Sequence, residues 1–125
     1  MTSEEYNWLL EADAKIRAGE AYTAEPSERD RLLRLAPQCG FDDAQVTLVV
    51  NEPGGIEKLI VTLRERVGTS SKKLSKALAA LYVAQDADQR TAALAVIEEI
   101  AVSDPVELHR EEARKTLAAV DAGQL

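Results

Sequence analysis

His109 and Cys39 are the only histidine and the only cysteine in the chain, and they bound the chemistry it can perform. A zinc-type site needs three or four such ligands, so a His/Cys metal centre cannot be assembled within one chain. A thiol nucleophile paired with an imidazole base is arithmetically possible. Cys39 follows Pro37 at an expected helix end, however, and a small buried thiol is the commoner fate of such a residue. His109 shares a helical face with Val106 and Ala113, which predicts partial burial with one ring nitrogen satisfied. A pH-sensing role is the other use a lone histidine allows.

Carboxylates are plentiful but poorly spaced for a shared task. Glu98-Glu99 and Glu111-Glu112 are sequence neighbours on expected helices, where adjacent side chains diverge by about 100°. The Glu-x-x-His spacing of carboxylate metal centres in helical bundles is missing. Gly54-Gly55 lacks the pattern and the lysine of a phosphate-cradling loop. Asp86-Ala87-Asp88 begins like a calcium loop, without the glycine and closing glutamate such a loop requires. No catalytic, cofactor or metal site is expected, and the chain reads as a non-enzyme.

What remains is charge and apolar surface. The net charge is −7 and the distribution is segmental: residues 1–55 carry −6, residues 56–85 carry +4 and residues 86–125 carry −5. A basic middle flanked by acidic arms lets the segments complement one another as they pack, or alternatively suits docking to a charged protein. It is a poor arrangement for wrapping nucleic acid, which needs a surplus of Lys and Arg. Arg66, Lys73 and Lys76 fall on one helical face with Lys72 beside them, and form the candidate basic contact. Glu98 and Glu111 represent the acidic alternative. Trp8 and Tyr82 are the candidate aromatic contacts, since such residues carry large energies in interfaces.

The elements that must position these residues are helices. Hydrophobic residues at 46% and charged residues at 30% describe a globular chain, and 125 residues is the size of one domain. No apolar run approaches the roughly 20 residues needed to cross a bilayer. The acidic opening Met1-Thr2-Ser3-Glu4-Glu5 is not a secretion signal, and a single cysteine suits a reducing compartment. A cytoplasmic location is therefore expected, with no membrane association.

Thr2 and Glu5 have capping-box spacing ahead of a stripe of Trp8, Leu9, Ala12 and Ile16. A second helix is expected over 27–39, ended or bent by Pro37. Asp42 and Gln45 repeat the box spacing, with Phe41 and Val46 placed as a hydrophobic staple. The β-branched run over 46–50 could also be a short strand. Its helix-start signals and the lack of a pairing strand favour helix. Asp86 should cap a helix over 89–102. Asp104, Pro105 and Glu107 read as the cap, first position and box partner of the last helix.

The longest signal is a seven-residue repeat. One position reads Ile56, Leu63, Ser70, Ala77, Ala84 and the other Ile60, Val67, Leu74, Leu81. The phase survives Gly68-Thr69-Ser70-Ser71, which predicts a long central helix over about 56–84, bent or bulged near Gly68. The fold class is thus all-α: a single-domain helical bundle of about five to seven helices over 1–125.

Gly19-Glu20, Arg31-Leu32-Leu33, the run Arg64-Glu65-Arg66-Val67-Gly68-Thr69-Ser70-Ser71-Lys72-Lys73-Leu74 with Ala77-Leu78, and the closing Pro105-Val106-Glu107-Leu108-His109-Arg110-Glu111-Glu112-Ala113 resemble the DUSAM domain. That myxobacterial family, of unknown function, is expanded into many paralogues. The resemblance spans nearly the whole chain and implies paralogue expansion without a known catalytic motif. Together these readings predict a protein-binding module, foremost a cognate inhibitor or immunity-type protein whose partner is a toxin or signalling protein. The alternative is a helical adaptor or self-associating module, for which a homodimer is one form.

Overall fold

A computed structural model describes all 125 residues as six α-helices and no strand. They are α1 (Ser3–Arg17), α2 (Pro26–Gln38), α3 (Asp43–Val50), α4 (Gly55–Val83), α5 (Ala87–Ser103) and α6 (Glu107–Asp121). The residues group into two compact units, Met1–Val67 and Gly68–Leu125, with the boundary inside α4. No helix is long and apolar enough to cross a membrane.

In the first unit, α1 starts as its sequence dictates. The Thr2 hydroxyl accepts from the Glu5 amide at 3.1 Å and the Glu5 carboxylate accepts from the Thr2 amide at 2.9 Å. α2 begins one residue earlier than expected, with Pro26 in the first turn, where its missing N–H costs nothing. Pro37 does not terminate α2 but sits inside its last turn. The stop comes from Gly40, whose φ of 83° lets the Phe41 amide reach back to the Ala36 carbonyl at 3.1 Å.

The β-branched run is helical, as its start signals indicate. Asp42 caps α3 through the Ala44 amide at 2.8 Å rather than through a reciprocal bond with Gln45. The apolar interior of this unit comprises Leu9, Leu32, Leu35, Ala36, Cys39, Val46, Leu59, Ile60 and Leu63.

Glycine is structurally required where α4 begins. A Cβ on Gly55 would stand 1.6 Å from the Val49 carbonyl oxygen. That neighbour is backbone at the end of α3 and cannot rotate aside. Gly55→Ala should therefore destabilise the first unit by at least the roughly 1–3 kcal/mol typical of overpacking, measured by chemical denaturation.

α4 passes through Gly68, Thr69, Ser70 and Ser71 in regular α-helical conformation, so the expected bulge is not formed. Glycine in a helix interior costs about 1 kcal/mol relative to alanine. Burial on both sides in the same phase outweighs it: Ile60, Leu63, Val67, Leu74, Ala77 and Leu81 are all buried.

The second unit packs the remainder of α4 with α5 and α6. Leu74, Ala77 and Leu81 from α4 join Ala93, Ile97, Ile100 and Ala101 from α5 and Ala113 from α6 in one cluster. Leu78, Leu94, Leu117 and Val120 cover its edges. Asp86 caps α5, accepting from the Gln89 amide at 2.8 Å, while Gln89 Oε1 accepts from the Gln85 amide at 2.8 Å.

The start of α6 departs from expectation. Asp104 does not cap it and Pro105 does not occupy its first position. The helix begins at Glu107, with Val106 at the cap and no side-chain cap bond. Asp104 closes α5 instead, and its carboxylate is turned into the protein.

Candidate protein-binding groove and buried polar centre

Asp104 meets two residues that sequence spacing does not connect. Ser70 occupies a seam position of α4, and its hydroxyl lies 2.6 Å from Asp104 Oδ1. His109, on the first turn of α6, brings Nδ1 into hydrogen-bond contact with the same hydroxyl. All three side chains are buried. The Val106 amide also donates to Asp104 Oδ1 at 2.9 Å, and the Arg110 guanidinium donates to the Asp104 carbonyl at 2.6 Å.

Proton counting fixes the direction of this chain. The single Ser70 proton serves the bond to Asp104 Oδ1, which leaves the serine oxygen to accept from His109 Nδ1. A serine nucleophile needs the opposite order, with its proton passed to the imidazole and the carboxylate behind the ring. The Asp104–Ser70–His109 order instead joins α4 to the α5–α6 corner by directed bonds. Burying these polar groups is tolerable because they satisfy one another.

A comparable hub organises the first unit. Glu28 Oε2 accepts from Trp8 Nε1 at 2.8 Å and from the Tyr22 hydroxyl at 2.5 Å. Glu28 Oε1 accepts from the Glu25 amide at 3.2 Å. The Tyr22 bond, aided by Trp8, holds the Glu28 carboxyl below its ordinary value, and burial pushes the Tyr22 phenol well above its own. Glu5 is also lowered, chiefly by the Thr2 amide, with Arg34 Nη1 at 2.7 Å from Oε2.

A lowered carboxylate contributes stability that is present above its unfolded value and lost as pH falls through the folded one. The first unit should therefore lose stability as pH drops below the ordinary glutamate value of 4.5. Glu28→Gln should flatten that acid limb in melting curves taken across the range.

Of the eight residues proposed from sequence as contacts, Trp8 and Arg66 fall in the first unit and the other six in the second. Trp8 is half-buried, bonded to Glu28, and has the Arg31 guanidinium 5.2 Å from its ring centre. Arg66 is likewise committed to the fold of its unit. It donates to the Cys39 carbonyl at 3.1 Å and stacks 3.9 Å from the Phe41 ring centre. That guanidinium closes the end of α2, a role invisible in its spacing from Lys73. Cys39 itself is fully buried, and burial pushes its thiol up to about 11. No group of three or more His, Cys, Asp or Glu side chains is arranged to hold a metal ion.

In the second unit Lys72, Lys73, Lys76, Glu98 and Glu111 are all exposed, and Tyr82 is 68% exposed. Lys73 and Lys76 border an open groove of about 840 Å³ between the C-terminal part of α4 and the start of α5. Its walls are apolar and small, including Ala80, Val83, Ala92 and Val96, and no carboxylate lines it. Lys73 makes one long contact to Glu99 at 3.4 Å, and Lys76 makes no ion pair.

A second recess of about 450 Å³ in the first unit lies beside Leu48, between Glu52 and Lys58, and is bordered by charges of both signs. The groove concentrates one sign of charge beside apolar surface, which makes it the better candidate for selective binding. No protein-family profile, curated protein or solved structure matches the chain.

Proposed function

We propose that this chain is a non-catalytic, cytoplasmic protein-binding module of the cognate-inhibitor or immunity type, related to the DUSAM domain. The observation that carries this reading is the lysine-bordered apolar groove of the second unit, open to solvent on an otherwise acidic chain. Charge at the rim of an apolar patch sets partner choice and encounter rate, and altering it yields orthogonal pairs on one scaffold. A helical adaptor or self-associating module is the second reading, favoured by the exposure of Tyr82 and Val83 together near the end of α4.

Affinity capture with mass spectrometry, followed by binding kinetics on the captured partner, tests the proposal. Lys73→Glu with Lys76→Glu should weaken binding and slow association, more so at low salt. If an acidic face makes the contact instead, Glu98→Lys with Glu111→Lys should have the larger effect. Melting curves near wild type are required of both pairs. Absence of any effect from either pair, or turnover of a small molecule by the purified protein, would overturn the inhibitor reading. Light scattering over a concentration series separates the two classes, since an adaptor that self-associates gains mass with concentration.

A further inference from the structure

We infer that the α4–α5 groove seats an amphipathic helix of a partner protein, apolar along one face and carrying carboxylates at the end that meets Lys73 and Lys76. The inference rests on the protein-binding reading above and names the occupant. The first argument is shape. Two neighbouring helices leave a concave channel, and a third helix laid into it buries apolar side chains with little backbone exposed. From Lys73 to Val83 the α4 wall extends about 15 Å at 1.5 Å per residue, enough for about ten residues of a guest helix.

The second argument is side-chain size. Ala77, Ala80, Ala92 and Ala93 line the groove, so the guest backbone can approach closely and its larger side chains supply the filling volume.

The third argument is charge. The cations stand at one end, Gln85 and Gln89 at the other, and no acidic side chain lines the space between. Lys76 has no ion-pair partner of its own. The Lys73–Glu99 contact is long and exposed, so exchanging it for a guest carboxylate costs little. A guest with lysines at this position would be repelled by Lys76, which no acid of this chain pairs. The groove thus selects the sign of its ligand at one end and apolarity along the rest.

The probe is an 18-residue synthetic helical peptide with leucine and alanine on one face and two glutamates near one end, labelled for fluorescence anisotropy. Its counterpart carries lysines in place of the glutamates. The full chain should bind the acidic peptide at least about fivefold more tightly than the basic one, the ratio for roughly 1 kcal/mol of charge discrimination. Lys73→Glu with Lys76→Glu should reverse that preference, and Ala80→Trp, at an exposed position, should abolish binding of both peptides without altering the melting curve.

Equal binding of the two peptides, no binding of either, or binding that survives Ala80→Trp overturns the inference. A dimer seen by sedimentation and lost in Ala80→Trp also overturns it, because a second copy would then be the occupant. If the captured partner responds to Glu98→Lys and Glu111→Lys while the peptides fail, the protein-binding reading stands and the groove assignment falls.

Discussion

Leu74→Ala should lower the stability of the second unit by about 2–5 kcal/mol, the range for truncating a buried leucine. Leu74 is 3% exposed and sits in the cluster that joins α4 to α5 and α6. Its loss removes the transfer energy of the deleted atoms and also leaves a cavity. That cavity persists because a close-packed interior relaxes only partly around a deleted side chain. Val102→Ala is the matched control: Val102 is 80% exposed, and its truncation should change stability by less than about 0.5 kcal/mol. Denaturant midpoints for the two variants measure the contrast. A Leu74→Ala midpoint close to wild type would show that the seam is not the core of this unit.

Asp104→Ala should be comparably damaging through a different mechanism. The carboxylate accepts from the Ser70 hydroxyl and the Val106 amide, both inside the protein. Each buried donor left without a partner costs about 1–3 kcal/mol, and alanine abandons both. Ser70→Ala leaves Asp104 with the Val106 amide but deprives the buried His109 Nδ1 of its acceptor, so it too should destabilise the second unit. A double-mutant cycle isolates the bond. The Ser70→Ala, Asp104→Ala double variant should be more stable than the sum of the two single losses predicts, by about 0.5–3 kcal/mol. Strict additivity would mean that the hydroxyl and carboxylate do not meet in solution. Because His109 donates into the same serine oxygen, its imidazole resonances should shift in Ser70→Ala, as NMR can record.

These two experiments separate what could be read from sequence from what could not. The seam containing Leu74 is visible as a repeat because helical burial is periodic, and periodicity survives even the poor helix formers at 68–71. The Thr2–Glu5 and Asp86 caps are visible for a related reason: their partners lie within four residues, so spacing alone specifies the bond. Ser70 stands in the same repeat as a single polar entry at a buried position. That anomaly signals a polar partner but not which one.

Asp104, Pro105 and Glu107 satisfied every local rule for a helix start, yet the carboxylate serves Ser70, 34 residues away in sequence. A local cap and a buried long-range acceptor compete for the same carboxylate. Only the packing of α4 against the α5–α6 corner decides between them. Arg66 teaches the same lesson on the surface. Its spacing grouped it with Lys73 and Lys76, but a carbonyl left free at the end of α2 and the Phe41 ring lie within its reach and claim it.

The sequence by itself determined the all-α class, the central helix and the buried seam along it, because those follow from propensity, capping and period within a few residues of chain. Tertiary structure alone decided which charged and polar groups are committed inward and which stand free beside a groove. Those assignments depend on groups that meet only after the helices have packed.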